Sequence, residues 1–510
     1  MKLALAQINT TVGDLSDNVA RCLDAISAAG IQGADLIVLP EMAVPGYPPR
    51  DILFDNSFVQ AVAAATQDLA QRAVDLPPAI VGTLTPADHQ LPNHPNLYNT
   101  AVLLQAGEAH PVAYKRLLPT YDVFYEARWF LPGPAFPPIK IAGRSVGVLI
   151  CEDMWDEDYP VHPGTELVNT GADLLVCIAA TPYRKGVQTE RLYHARRQGC
   201  PIAHLNLVGA NDELIFDGRS FVLDAEGQLT HQSAAFKESV EIVDLDAPPT
   251  ELPCIAPEAE HYHALTLGIG DFAAKNNLKH AFLGLSGGVD SAVTVALAAA
   301  ALGPENVTGI AIPARYTDPR STESARQLAT TLGIAFEVVE LENMHTATEA
   351  TLGDLLTESG TAAENVQARL RMLILMSYVN RSGGLLLNTS NKTELALGYS
   401  TIYGDMAGTL SPLGDLTKPE VYALANWIDA NQAAIPAFCL ERPPSAELRP
   451  DQVDPFDYPK IAPEMEQLVL ENRSDAALRR SEHKRWQMGV ILKVSRKAFG
   501  TGRMIPITRK

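Results

Sequence analysis

Apolar and polar positions along this chain fall into two rhythms. Short apolar runs at Leu3–Ile8, Leu36–Leu39, Ile80–Leu84, Thr100–Leu104, Val146–Ile150, Leu174–Ala179, Ile202–Leu207 and Phe221–Leu223 predict strands. Amphipathic segments lie between them, beginning with a helix expected over Asp17–Ala29. Strands that alternate with helices predict an α/β domain with a buried sheet over residues 1–245. Residues 246–260 carry four prolines and no apolar rhythm, which predicts an extended linker. The alternation then resumes. It predicts a helix at Tyr262–Phe272, a strand from Ala281, a helix over Ala292–Leu302, a strand at Val307–Ile312 and a helix at Ser321–Leu332. A strand at Phe336–Leu341, a helix at Ala363–Tyr378 and a strand at Gly384–Asn388 follow. With a glycine turn after its first strand, 261–510 reads as a doubly wound parallel sheet, a fold whose ligands sit at the carboxyl ends of strands.

Length agrees with two domains, since 510 residues exceed what one core organises. A chain that is 46% hydrophobic and 20% charged can bury a sizeable core, so wholesale disorder is excluded. The net charge of −20 opposes a general nucleic-acid partner and requires any phosphate ligand to be gripped by local groups. No apolar run is long enough for a membrane span, and the apolar part of the N-terminus is too short for an export signal. The six cysteines show no Cys-x-x-Cys, which fits neither a zinc site nor a disulfide framework. A cytoplasmic protein with free thiols and no membrane contact is expected.

Chemistry is most concentrated in Gly284-Leu285-Ser286-Gly287-Gly288-Val289-Asp290-Ser291, where a strand runs into a glycine turn and a helix start near Ser291. Glycines let backbone N–H groups approach an anion, and the helix start turns partial positive charge to the same place. The segment lacks the Lys of a Walker loop and the spacing of a dinucleotide fingerprint. Its Ser-Gly-Gly-x-Asp-Ser pattern resembles the pyrophosphate loop of the ATP pyrophosphatases. That resemblance implies ATP as co-substrate, cleaved between its α and β phosphates with transfer of AMP.

Three polar residues end apolar segments in the first half: Glu41 after Ile-Val-Leu-Pro, Lys115 after Pro-Val-Ala-Tyr, and Cys151 after Val-Gly-Val-Leu-Ile. A carboxylate to take a thiol proton, a thiolate nucleophile and a cation for the oxyanion are what amide hydrolysis through a thioester needs. The segments Leu39-Pro40-Glu41-Met42, Tyr114-Lys115-Arg116-Leu117-Leu118-Pro119 and Ile150-Cys151-Glu152-Asp153-Met154-Trp155 resemble the three catalytic segments of the nitrilase superfamily. The likeness implies a four-layer αββα sandwich, with Glu41 as proton acceptor, Lys115 as oxyanion stabiliser and Cys151 as nucleophile. It is closest to glutaminase domains fused to NAD⁺ synthetase, because the Lys segment continues into Tyr121-Asp122-Val123-Phe124-Tyr125-Glu126-Ala127-Arg128. Tyr121 would then contact glutamine. Such domains usually carry Ser-Pro-Tyr/Phe followed by Gly-Lys where this chain has Thr181-Pro182-Tyr183-Arg184-Lys185-Gly186-Val187. Thr181 is expected in place of the serine, and Lys185 in place of the displaced lysine.

In the second half, Leu387-Asn388-Thr389-Ser390-Asn391-Lys392-Thr393-Glu394, Tyr403 to Gly408, Leu416-Thr417-Lys418 and Glu364-Asn365-Val366-Gln367-Ala368-Arg369 resemble segments of the NAD⁺ synthetase family. Glu482 to Arg485 and Phe499-Gly500-Thr501-Gly502-Arg503 fit the same pattern. The resemblance implies that Thr389 meets ATP, that Asp290 and Glu394 hold Mg²⁺, and that Asn365, Glu394 and Lys484 face deamido-NAD⁺. It further implies that glutamine supplies ammonia, that deamido-NAD⁺ is amidated through an adenylate, and that the chain forms a homo-oligomer. Two other readings stand beside this one, the second of a different class. GMP and asparagine synthetases share the ATP loop but pair it with other glutaminases, and position 2 is Lys2 where an asparagine synthetase needs a cysteine. A catalytically silent adenylate sensor is opposed by the intact Glu41, Lys115, Cys151, Asp290 and Glu394.

Overall fold

The structure, a computed structural model, describes all residues except 252, 358, 359, 472–480, 489–492, 496 and 498–501. It divides into two compact units, Met1–Cys254 with Lys493–Lys510, and Ile255–Leu492.

The first unit is built on two six-stranded sheets. One runs in the order Ser239–Asp244, Lys2–Gln7, Leu36–Val38, Ala79–Pro86, Leu97–Gln105, Glu108–Tyr114. The other runs Leu229–Gln232, Phe221–Leu223, Ile202–Asn206, Leu174–Ala179, Arg144–Ile150, Ile139–Ile141. Alternate residues of a strand face opposite ways, and this divides the core in layers. Leu3, Leu5, Leu36 and Val38 of one sheet pack with Val146, Val148, Ile150, Val176 and Ile178 of the other. Their neighbours Ala4, Ala6 and Ile37 pack with Val19 and Ile26 of the helix Leu15–Ile31 and with Val62 and Leu69 of Asn56–Arg72. On the far side, Leu149, Leu175 and Cys177 meet Leu167 and the Leu192 and Ala195 of the helix Val187–Arg197. The result is the expected αββα sandwich.

In the second unit four parallel strands lie in the order Ala335–Val338, Val307–Ala311, Ala281–Gly284, Leu385–Leu386. Helices Pro257–Lys275, Val289–Leu302, Pro319–Leu332 and Lys418–Gln432 contribute to the core on one face, and Glu342–Leu352 and Gly360–Ser382 to that on the other. This is the doubly wound sheet expected, and its order reverses between Ala281–Gly284 and Leu385–Leu386. Ligands of such folds bind at that switch. The strand expected over 336–341 stops at Val338, and the one expected over 384–388 is Leu385–Leu386.

Two boundaries differ from expectation, and the first is the extended linker expected over 246–260, which ends before Pro257 because that proline opens the helix Pro257–Lys275. The last residues, 493–510, expected with the second domain, belong to the first unit. Backbone hydrogen bonds from Met504, Ile507 and Thr508 to Asp51 and Asp212, rather than apolar periodicity, hold the residues from Met504 onward there. Among the described residues no helix is long and apolar enough to cross a membrane.

Candidate active sites

The strand ends of the first unit bring Glu41, Lys115 and Cys151 into one buried cluster. The first two have no exposed surface, and Cys151 is 3% exposed. Lys115 Nζ donates to Glu41 Oε1 at 2.9 Å and to Glu126 Oε1 at 2.9 Å. Asn99 Nδ2 donates to Glu41 Oε1 at 2.7 Å, Ala180 N to Glu41 Oε2 at 2.9 Å, and the Tyr47 hydroxyl to Glu126 Oε1 at 3.1 Å. One cation cannot neutralise two buried carboxylates. Burial accordingly pushes Glu126 up to about 7, against the pull of Lys115. Burial would depress Lys115, but Glu126 and Glu41 together hold it well above the ordinary ammonium range. Burial first, and then Glu41, push the Cys151 thiol well above its ordinary range. The resting thiol therefore keeps its proton, and any attack by it would need a neighbouring base. Glu126 sits in the Tyr121–Arg128 segment, but no local pattern marks it as the second carboxylate on Lys115.

Backbone geometry keeps the cluster together. Cys151 has φ +48°, left-handed for a residue with a side chain, at the point where its strand turns into a short helical turn. Asp153, two residues on, accepts from the backbone N–H groups of Arg116 at 2.9 Å and Leu117 at 3.0 Å, tying the Cys151 turn to the Lys115 segment. Burial raises Asp153 to about 6 in spite of these donors. Gly82 is required for packing, because a Cβ there would lie 2.6 Å from the Glu41 Cα.

Thr181 lies beside the Cys151 thiol, its Oγ1 3.6 Å from Cys151 Sγ. Its carbonyl accepts from the fully buried Arg191 at 3.0 Å, which is itself paired with Asp217 at 2.8 Å. Tyr121 is half exposed and donates to Glu152 at 3.0 Å. Lys185 is exposed on the turn before Val187–Arg197, and Val187, where the resemblance places a lysine, is buried. Arg184 pairs with Glu190 at 2.6 Å and is raised by that bond first, with Asp122 and Tyr121 adding to it. It therefore shares surroundings with Tyr121, which the sequence pattern did not foreshadow.

In the second unit a cavity of about 300 Å³ lies at the switch point, lined by Gly284, Leu285, Ser286, Gly288, Val289, Asp290, Ser291, Thr389 and Glu394. The helix begins at Val289, so Asp290 stands in its first turn. Ser291 Oγ donates to Gly288 O at 3.0 Å, and Gly288 N donates to Ser286 Oγ at 3.2 Å, which fixes the turn. Gly287 does not line the cavity. Its φ of +74° and the 2.4 Å that would separate a Cβ from Ser321 O explain why it is glycine.

Asp290 and Glu394 converge on Lys418, whose Nζ lies 2.6 Å from Asp290 Oδ2 and 3.2 Å from Glu394 Oε1. Burial, and then Asp290, push Glu394 up to about 7 while Lys418 opposes them. Carboxylate oxygens are hard donors of the kind Mg²⁺ takes together with phosphate oxygens, although Lys418 already occupies one oxygen of each. Lys418 lies in a segment that the sequence singles out without assigning it a role. Arg371, another lining residue without a sequence signal, is buried enough to fall to about 10. Asn365 and Lys484 meet on one loop. Thr401 Oγ1 donates to Asn365 Oδ1 at 2.7 Å, and Lys484 Nζ donates to Gly398 O at 2.6 Å and Ser400 O at 2.7 Å. Phe499, Gly500 and Thr501 lie outside the described residues.

Comparison with known proteins covers both units. Residues 2–251 match the carbon-nitrogen hydrolase family, and residues 261–494 match NAD synthase. A glutamine-dependent NAD(+) synthetase of Synechocystis sp. is 37% identical over 99% of this chain and 98% of its own. That of Thermotoga maritima is 32% identical over 100% of this chain and 99% of its own. The solved structure of glutamine-dependent NAD+ synthetase from Acinetobacter baumannii in complex with adenosine diphosphate is similar at TM-score 0.85 and 29% identity, over 100% of this chain and 98% of that one. With both catalytic families in this order and likeness along its whole length, the chain belongs to the glutamine-dependent NAD(+) synthetase family.

Proposed function

We propose that this enzyme hydrolyses glutamine in its first unit and uses the ammonia in its second to amidate deamido-NAD⁺ at the expense of ATP. The observation that carries the first half is the buried Glu41–Lys115–Glu126 cluster beside Cys151. As Cys151 Sγ attacks the side-chain amide carbon of glutamine, Glu41 takes the thiol proton and Lys115 donates to the developing oxyanion. Glu41 returns the proton to the departing nitrogen, ammonia leaves, and water hydrolyses the thioester to glutamate. Tyr121 and Thr181 contact the substrate, and Lys185, aided by Arg184, supplies positive charge for its carboxylate.

In the second unit the carboxylate of deamido-NAD⁺ attacks the α-phosphorus of ATP and pyrophosphate leaves. Ammonia then attacks the acyl carbon and AMP leaves. Activation is needed because a free carboxylate resists a neutral amine, whereas AMP is a good leaving group. The turn from Gly284 to Ser291 and Thr389 bind ATP, and Asn365, Glu394 and Lys484 orient the dinucleotide. Asp290 and Glu394 would hold Mg²⁺, which when bound draws negative charge from the phosphates. The site takes small molecules, and we further read the protein as a cytoplasmic homo-oligomer. The direct experiment is to supply deamido-NAD⁺, Mg²⁺-ATP and glutamine and to quantify AMP, glutamate and NAD⁺. A one-to-one yield of AMP and NAD⁺ is expected, and NAD⁺ without AMP would overturn the adenylate route.

A further inference from the structure

The end of the chain is held on the first unit by two carboxylates. Asp51 N donates to Met504 O at 2.8 Å, and Met504 N donates back to Asp51 Oδ2 at 2.8 Å. The same buried carboxylate accepts from Arg128 Nε at 2.7 Å, Arg128 Nη2 at 2.9 Å and Trp129 Nε1 at 2.9 Å. Arg128 Nη2 also donates to Gly502 O at 3.3 Å. Further along, Asp212 accepts from Ile507 N at 2.9 Å and Thr508 N at 2.7 Å, and Thr508 is fully buried. Lys510 N donates to Val12 O at 3.0 Å, and its Nζ pairs with Asp14 at 2.9 Å. A buried carboxylate with several donors is an expensive group to leave unmatched, so Asp51 fixes its part of the segment firmly, and the partly exposed Asp212 adds two charge-assisted backbone bonds further along.

Both anchors lead on to the glutaminase cluster. Arg128 ends the short turn Glu126–Arg128, and the N–H groups of Trp129 and Phe130 both donate to Glu126 O at 2.9 Å. By gripping Arg128 and Trp129, Asp51 sets the turn that aims the Glu126 carboxylate at Lys115. Asp212 stands between the paired strands Val208–Asn211 and Leu214–Asp217. From that hairpin, Ile215 O accepts from Tyr183 N at 2.6 Å, and Asp217 holds the Arg191 that donates to Thr181 O.

We propose that Gly502–Lys510 is a strap that positions the Glu126 turn and the Thr181–Tyr183 segment for glutamine hydrolysis, with Asp51 and Asp212 as its two positioning residues. The inference rests on the reading of this cluster as a glutaminase. Displacement of a supporting element by an ångström or less can cost a catalytic site about a hundredfold. Asp51 acts through the chemistry of Glu126 and Asp212 through the substrate-facing Thr181, so the two should separate kinetically.

The test uses the full chain, a chain lacking Met504–Lys510, and the variants Asp51→Ala and Asp212→Ala. Glutamate release and NAD⁺ formation are measured with glutamine and with ammonium. Loss of Met504–Lys510 should lower kcat/KM for glutamine by about 10- to 100-fold and leave ammonium-driven synthesis within about twofold. Asp51→Ala should act mainly on kcat and Asp212→Ala mainly on the KM for glutamine, and both remain decisive if the shortened chain does not fold. Unchanged glutamate release in the shortened chain, or equal loss with both nitrogen donors, would overturn the strap. So would single variants that lower thermal stability without separating kcat from KM. No glutamate release by the intact chain would instead overturn the glutaminase reading, and the strap with it.

Discussion

In the first unit Lys115 lies between Glu41 and Glu126; in the second, Lys418 lies between Asp290 and Glu394. Each cluster joins one cation to two carboxylates, and in each burial pushes one carboxylate up to about 7. Their surroundings differ. The side chains of the first are 0–3% exposed, and Asn99, Ala180 and Tyr47 add donors to its carboxylates. Asp290 and Glu394 are 18% and 17% exposed at the wall of a cavity. The first is closed off, and its two carboxylates are held by Lys115 and by donors from the protein itself. The second is open to a cavity, and on the function proposed above its ligand would bring charge of its own, both the negative phosphates and the cation that accompanies them.

The largest effects should come from parting the two clusters by their chemistry. Cys151→Ala removes the covalent nucleophile and should lower glutamine-driven NAD⁺ synthesis by at least about a thousandfold, while synthesis from added ammonium persists. Glu394→Gln should do the reverse, abolishing NAD⁺ formation from either donor while glutamate is still released. Assays of each variant with both nitrogen sources decide the matter, and loss of both activities in a folded Cys151→Ala enzyme would mean that the clusters do not work separately.

What the sequence made legible follows the same division. Strand ends announce themselves by apolar runs that stop at a polar residue, so Glu41, Lys115, Cys151 and the Gly284–Ser291 turn were visible as candidates. The inner strands were visible for the same reason, whereas the edge strands Glu108–Tyr114, Ile139–Ile141, Leu229–Gln232 and Ser239–Asp244 of the first unit were not, and its division into two sheets came from the family resemblance. Glu126, Asp153 and Lys418 lie in segments that the sequence marks but received no role, because what singles them out is a partner on another element, at Lys115, at Arg116 and at Asp290. The C-terminal segment was misplaced because backbone donors paired with Asp51 and Asp212 leave no hydrophobic rhythm to read.

The contrast in burial predicts unequal costs for losing the two lysines. Lys115→Met would leave two enclosed carboxylates without a cation, and breaking a buried pair in this way costs about 3–5 kcal/mol. Lys418→Met should cost less, because Asp290 and Glu394 can draw on solvent from the cavity. Urea denaturation of the two variants, followed by fluorescence and circular dichroism, compares them directly, and a larger loss for Lys418→Met would reverse the ranking of the sites.

A smaller effect is expected in pH dependence. Glu126 rises from 4.5 to about 7 on folding, so between these values the folded state binds more protons than the unfolded. Its contribution to stability is therefore greatest below about pH 4.5 and is lost as pH climbs to about 7. Glu126→Gln cannot titrate, and its melting temperature should fall less than that of the parent across the window. Parallel melting curves at pH 5, 6 and 7 measure the difference, and identical slopes would remove Glu126 from the titrating cluster.

The smallest effects belong to the glutamine-facing edge, where the first cluster comes closest to the openness of the second. Lys185 is exposed and Arg184 is tied to Glu190, so neither is enclosed by the cluster in the way Lys115 is. A cation at such a site holds the ground state and the transition state alike, and its removal should appear in KM rather than kcat. Lys185→Ala is expected to raise the glutamine KM by about three- to tenfold and to leave ammonium-driven synthesis unchanged. Arg184→Ala frees Glu190 near the same edge and should raise KM as well. If Lys185→Ala leaves KM untouched while Arg184→Ala raises it, the positive charge lies one position earlier than the sequence suggests. If neither variant moves KM, the carboxylate of glutamine is held by other groups.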